Sequence, residues 1–330
     1  GSAQCSGEFN SIAIATVVAS GDSSVEAGSQ QLENVENKCD DTATCLNTVL
    51  ALSEVTASEQ SEVEADAKQE IYGVNECSGD TPSCSNLGIA EFTITASDQS
   101  EVEADAYQLV HEENKCENGA SCTNGLTEFP GFSQRNIITV SASGDSSVNS
   151  DSRQKLYESN ECVGVGTSCD SQDSTIDLSM SATGSSSIDS ISNQEFSSNN
   201  ECNGDGTRCF ERAFSILTIT ATGSSSVDSN GKQEIDVNYD CSGDGTACIG
   251  DINNIVTISA TDSSVDSDTK QEIRVTDECN GTGAACFNDR GNLVSITASN
   301  QATIESDAEQ TVHMENKCVE GALCAVGSLT

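Results

Sequence analysis

One register recurs eight times along this chain and leaves few architectures open. A glutamine stands eight positions before a cysteine at Gln31/Cys39, Gln69/Cys77, Gln108/Cys116, Gln154/Cys162, Gln194/Cys202, Gln233/Cys241, Gln271/Cys279 and Gln310/Cys318. A second cysteine follows with five or six residues between: Cys45, Cys84, Cys122, Cys169, Cys209, Cys248, Cys286 and Cys324. Upstream, an alanine followed by Ser or Thr precedes each glutamine by twelve positions, or eleven in one unit (Ala19, Ala57, Ala96, Ala142, Ala182, Ala221, Ala260, Ala298). The interval is 38 to 40 residues except between the third and fourth glutamines, where it is 46. The excess is an insertion near Thr123–Asn136 that carries Phe129, Pro130, Phe132 and Arg135. The units read as 12–45, 49–84, 89–122, 137–169, 174–209, 214–248, 253–286 and 291–324, with 123–136 inserted, in a single array over 1–330. Units of this size cannot bury an apolar face alone and do so by stacking.

Two stretches in each unit alternate with the period of a half-buried strand. In the first, Leu217, Ile219 and Ala221 share one face, and Thr218, Thr220 and Thr222 the other. Phe92–Ser97 and Val256–Thr261 read the same way; of 24 outward positions, 22 are Ser or Thr, and Val18 and Glu54 are the exceptions. In the second, Gln233, Ile235, Val237, Tyr239 and Cys241 share a face opposite Glu234, Asp236, Asn238 and Asp240. A Gly/Ser/Asp turn and a short Ser226-Val227-Asp228-type element lie between the two. Frequent β-branched residues and Ser, with no 3.6 period, exclude helices. The fold class is therefore all-β, with tandem repeats of about 39 residues stacked as a disulfide-stapled β-solenoid or a β-arch layered sheet. Stacking at about 4.8 Å lets inward glutamines hydrogen-bond from unit to unit, which offsets the cost of burying an amide. Asn37, Asn75, Asn114, Asn160, Asn200 and Asn316 form a second inward column, broken by Tyr239 and Asp277.

Composition narrows the function. Aromatic residues make up 4% of the chain, with no Trp and two Pro, which suits thin layers of small side chains rather than a bulky core. A net charge of −41 excludes a nucleic-acid surface and disfavours anionic lipid. It keeps a secreted chain soluble and draws cations; a halophilic source reads the same way. Seventeen cysteines with only two histidines indicate disulfides and an oxidising compartment, not zinc or haem sites. No window approaches a membrane span. With no leader at its start, the chain reads as a mature product, and Gly1-Ser2 as native or a cloning remnant.

The cysteines admit two pairings. One joins first to second within each unit; the other joins each trailing cysteine to the next leading one, as in Cys5–Cys39 and Cys45–Cys77. Either leaves one thiol over, Cys5 or Cys324, as a candidate intersubunit bond. Acidic residues follow the short Val or Ile at Glu26, Glu64, Glu103, Asp189, Asp228, Asp266 and Glu305, with Asn149 in the same place, and Asp66, Asp105, Asp151, Asp268 and Asp307 stand nearby. Stacked, they repel by about 1 kcal/mol per pair even in water, relieved by solvent or by bridging calcium. The calcium candidates are Glu64, Asp66, Glu103, Asp105, Asp266, Asp268, Glu305 and Asp307. The Cys241–Thr246 loop lacks the acids of an EF-hand and reads as a turn. The Ser/Thr face serves as a solvated face, a mating surface between sheets, or an ice-binding plane like those of β-solenoid antifreeze proteins.

Catalysis finds no support in the residues. His111 and His313 occupy the same outward repeat position, and no P-loop, dinucleotide fingerprint or nucleophile elbow is present. Asn280-Gly281-Thr282 is the one N-glycosylation sequon. The inward Gln and Asn at fixed spacing resemble the repeats of curli subunits, although those are near half this length and lack paired cysteines. The acidic, Ser/Thr-rich, cysteine-bearing units are also similar to archaeal cell-sheath proteins. The resemblance spans residues 12 to 324 as a pattern of architecture and composition. It implies a self-assembling scaffold at the cell surface, partnered by copies of itself, without catalysis, cofactor or membrane insertion. The alternative is a secreted binding module for calcium, ice or a surface glycan; a polysaccharide-cleaving β-helix enzyme is a third reading.

Overall fold

The computed structural model describes residues 6–40, 44–79, 81–124, 134–319 and 321–329. Every regular element in it is a β-strand. One sheet, A, contains β1 (Ser6–Ser20), β3 (Thr44–Ser58), β5 (Ser83–Ser97), β7 (Ser121–Asn124), β8 (Arg135–Gly144), β10 (Ser168–Gly184), β12 (Arg208–Gly223), β14 (Ala247–Thr261), β16 (Ala285–Ser299) and β18 (Leu323–Leu329). The other, B, contains β2 (Ser24–Asp40), β4 (Glu62–Ser78), β6 (Glu101–Glu117), β9 (Ser147–Val163), β11 (Ser187–Asn203), β13 (Ser226–Ser242), β15 (Ser264–Asn280) and β17 (Thr303–Val319). All pairing is parallel, and each strand pairs with the equivalent strand one repeat away. This is a two-sheet β-solenoid, the first of the two expected forms: the chain runs up one sheet, turns, and returns along the other.

One local reading is corrected. The Ser-Val-Asp segment is not a separate element but the start of the 17-residue B strand, continuous in β13 from Ser226 to Ser242. The trailing cysteine lies at the start of an A strand, as Cys248 does in β14. One turn of each coil is thus the Gly/Ser turn and the other is the loop between paired cysteines. The insertion divides a single rung: β7 and β8 both pair with β5 and β10, β7 ending at Asn124 and β8 beginning at Arg135. Phe129, Pro130 and Phe132 lie outside the described residues. Beside the interruption, β10 carries a bulge between Ser171 and Ser174.

Alternation does what the pattern demands. Leu217, Ile219 and Ala221 are buried, as are Ile235, Val237, Tyr239 and Cys241. Two apolar clusters form the core. One holds the cysteines with Ile71, Leu156, Phe196 and Ile235; the other lies toward the Gly/Ser turn around Phe92, Ile138, Leu178 and Ile258. The glutamine column runs between them. Stacking is continuous because every inward residue meets its counterpart at one rung spacing, about 4.8 Å.

Candidate functional site

Among the described residues no concave site dominates; the distinctive chemistry is in columns. Each glutamine donates from Nε2 to Oε1 of the glutamine one coil earlier: Gln69 to Gln31 at 2.9 Å, Gln108 to Gln69 at 2.7 Å, Gln154 to Gln108 at 3.4 Å, Gln194 to Gln154 at 3.1 Å, Gln233 to Gln194 at 2.9 Å, Gln271 to Gln233 at 2.9 Å and Gln310 to Gln271 at 2.7 Å. The same amides reach across to sheet A, as Gln194 does to the Ile216 carbonyl at 3.0 Å. The column therefore ties coil to coil and sheet to sheet, and it has a direction.

The asparagine column is deeper than its sequence pattern showed. Asn75, Asn114, Asn160 and Asn200 are buried; the first three donate along the stack, the last of them to Asn200 at 2.8 Å, and Asn200 turns its own amide to Ser198 and Glu211. A facing set from sheet A, Asn47, Asn86, Asn124 and Ser171, interleaves with them; Asn47 donates to both Asn75 and Asn86 at 2.9 Å. These lie two residues after a trailing cysteine, a spacing that marks them as inward once that cysteine is placed on the A strand. The seam is interrupted where Tyr239 replaces asparagine and resumes at Asp277, to which Asn288 donates at 2.8 and 2.7 Å. Opposite Tyr239 stands Gly250, where a Cβ would sit 2.7 Å from the Tyr239 hydroxyl, so the missing side chain makes room for the phenol.

Within each cysteine pair the structure joins first to second, Cys39–Cys45, Cys77–Cys84, Cys116–Cys122, Cys162–Cys169, Cys202–Cys209, Cys241–Cys248, Cys279–Cys286 and Cys318–Cys324, with Cα separations of 6.2 to 6.5 Å. That is the local staple, not the unit-to-unit alternative, and it gives Cys324 a partner. Cys5 lies outside the described residues. Sulfurs of successive staples stack, those of Cys39, Cys77 and Cys84 within 4.8 Å; as disulfides they offer a metal no thiolate. In the staple loops Thr246 is buried and donates to the Gly204 carbonyl of the coil before at 2.9 Å. At the other turn, Ser61, Ser100, Ser146, Ser186, Ser225 and Ser263 do the equivalent, Ser186 to the Ala142 carbonyl at 3.0 Å. Neither ladder was anticipated; each sits at a fixed offset in the repeat.

The acidic residues are strand residues rather than turn residues. Glu26, Glu64, Glu103, Asn149, Asp189, Asp228, Asp266 and Glu305 form one outward column of sheet B. Asp66, Asp105 and Asp151 form the next, and Asp268 and Asp307 continue it. Glu64, Asp66, Glu103 and Asp105 are thus brought together, as are Asp266, Asp268, Glu305 and Asp307. A groove of about 530 Å³ runs along the second column, lined by Asp66, Asp105 and Asp151 and by Lys68, Tyr107 and Arg153, and not by Glu64 or Glu103. Partial burial and then the neighbouring Asp151 and Asp66 push the Asp105 carboxyl up. Carboxylate oxygens here suit calcium in kind. On sheet A the outward Ser and Thr line up in three in-register columns, such as Thr93, Thr139, Ser179, Thr218 and Thr257.

Apart from Asp277, sequence reading passed over a set of inward charges. Glu112, Glu158 and Glu211 are buried, as is the pair Arg290–Asp277, 3.4 Å apart. Each glutamate stands an even number of positions from an inward Gln or Cys, so strict alternation marks them. Among the described residues no helix is long and apolar enough to cross a membrane. Family models, curated proteins and solved structures yield no match to this chain.

Proposed function

We propose that this chain is a structural subunit of a self-assembling extracellular fibre, sheath or surface layer, polymerising by stacking coils of one copy on those of the next. The observation that carries the reading is the in-register stack, in which each coil presents the next with the same apolar residues and, always in one direction, a glutamine amide. Ile296, Val312 and Met314 point inward yet are 49%, 45% and 42% exposed. Beside them Gln310 donates back to Gln271, so the one-way order of the ladder turns its own amide oxygen toward the open side. A coil of the same design, set on this face by a second copy, meets apolar residues with apolar residues and supplies the missing amide donor. Completing the burial of each apolar side chain contributes on the order of 1 kcal/mol. Contacts of this head-to-tail kind generate open filaments. Eight staples agree with an oxidising compartment outside the cytosol. The reading assigns the chain no catalysis and no nucleic-acid or membrane partner.

The test is imaging and light scattering of the purified protein beside the double variant Val312→Lys, Met314→Lys. Wild type is expected to form long regular polymers and the variant discrete rods. Polymers unchanged by the two lysines, or wild-type rods under every condition of salt and reductant, would sink the proposal.

The in-register hydroxyl columns favour a second reading, a secreted binding module that presents them to ice, or presents the carboxylate columns to calcium as an adhesin does. Thermal hysteresis of the rods, or calcium-dependent retention on a glycan surface, would select it.

A further inference from the structure

The middle of the stack holds three carboxyl groups in its interior. Glu112 on β6 and Glu158 on β9 are register partners in adjacent coils, and Glu211 reaches in from β12 to lie against Glu158. They are 1%, 3% and 0% exposed. The groups packed on them come from every neighbouring strand. Gln134 donates to Glu112, whose other contact is the Gly88 backbone on β5. From β10, Ser174 donates to Glu158 Oε1 and Ser171 stands beside it, with Asn124 of β7. From β11, Ser198 and Asn200 donate to Glu211 Oε2 at 2.7 and 3.2 Å. Farther along the seam the titratable groups are Tyr239 of β13, Asp277 of β15 and Arg290 of β16. Arg290 is already matched by Asp277.

Among the described residues, then, the three acids touch hydroxyls, amides and one another, and the one buried cation is engaged elsewhere. Donors converge on one oxygen of each paired carboxyl, while Glu158 Oε2 and Glu211 Oε1 are buried without a partner. The Tyr239 hydroxyl beside them is likewise buried and unpartnered. Two ionised carboxylates in contact in a dry interior repel strongly, and one proton between them converts the repulsion into a hydrogen bond.

We propose that Glu158 and Glu211, with Glu112 one coil away, form a proton-held clasp: the folded stack carries these groups as neutral or proton-sharing acids, and losing the protons opens the interior at this point. Burial pushes all three upward, Glu112 and Glu211 well above the usual carboxylate range. The sign follows. An acid whose folded pKa exceeds its unfolded value gives its full stability below the unfolded pKa and loses it as pH rises through the folded one. Each proton so held lowers the folding equilibrium constant by about tenfold per pH unit within that window.

The outer carboxylates add a slope of the same sign, so the measurement is a comparison. Urea unfolding of the disulfide-intact protein is followed from about pH 5 to pH 8 beside Glu158→Gln, Glu211→Gln, which keeps shape and removes titration. Wild type is expected to lose at least about tenfold more in folding equilibrium constant per pH unit than the variant. Equal slopes would overturn the clasp. Infrared spectra of the wild type near neutral pH serve if the variant does not fold: a carboxylic-acid C=O band resistant to hydrogen exchange is expected. Its absence, or a loss of stability on treatment with a chelator, assigns the site to ionised groups or to a cation and overturns the proposal.

Discussion

Gln233 and Asn238 sit five residues apart on one strand and make bonds of the same length, yet they do different work. Gln233 is buried and bonded on both sides, to Gln194 and from Gln271, each at 2.9 Å. Asn238 donates to Asn199 at 2.9 Å on the outer face, where water competes. Gln233→Leu strands the Gln271 N–H, at about 1–3 kcal/mol, and takes one of two donors from the Gln194 oxygen, which keeps Ser215, at about 1 kcal/mol, so a loss of about 2–4 kcal/mol in urea unfolding is expected. Asn238→Ala is expected to stay within about 0.5 kcal/mol. If the two cost the same, the ladder is not what holds the coils.

The staple loop sets a different constraint at the scale of the element. Its glycines stack directly on those of the coil before. A Cβ at Gly243 would lie 2.5 Å from the Gly204 carbonyl oxygen, at φ +121°, whereas at Gly245, φ +72°, it would meet nothing within 4 Å. Gly245→Ala therefore carries only the left-handed backbone penalty, about 1–2 kcal/mol. Gly243→Ala must also push neighbouring coils apart, and its thermal midpoint should fall further than that of Gly245→Ala. The disulfide beside them closes a loop of seven positions, worth roughly 2–3 kcal/mol by chain entropy. Cys241→Ala, Cys248→Ala is expected to cost at least that. Since the seven other staples each close only their own loop, the loss should be local, seen as faster amide exchange in β13 and β14 and not along the whole stack.

Across the whole molecule most of the formal net charge of −41 is carried on the outer faces, much of it in columns one rung apart. Rung spacing is well inside the screening length at about 0.1 M salt, roughly 10 Å, so salt relieves the columns incompletely. The thermal midpoint is expected to rise with sodium chloride and to rise equally with calcium chloride at matched ionic strength. A larger calcium effect, lost on Asp105→Asn, would establish bridging at Asp66, Asp105 and Asp151. Surface pairs such as Lys155–Glu195, 2.7 Å apart, contribute little to this balance.

By itself the sequence determined the coil. Its period, its alternation and the recurrence of Gln, Cys and Ala at fixed offsets require units that bury nothing alone, and parity assigns each residue to one face. It also placed Gln233 and Ile235 inside and Thr218 outside, because a strand has a period of two and no freedom beyond register. What only the tertiary structure decided are the meetings between strands far apart in the chain. Local spacing is equally compatible with stapling Cys45 back to Cys39 or forward to Cys77; the path of the turn settles it. The acids read as part of a short element between the two strands became outward ladders because Ser226-Val227-Asp228 is the start of the B strand itself. Glu158 and Glu211 are 53 positions apart, with no motif linking them, and their contact exists only because one sheet folds over the other. Periodicity in a chain specifies what a residue faces; the closure of two sheets specifies whom.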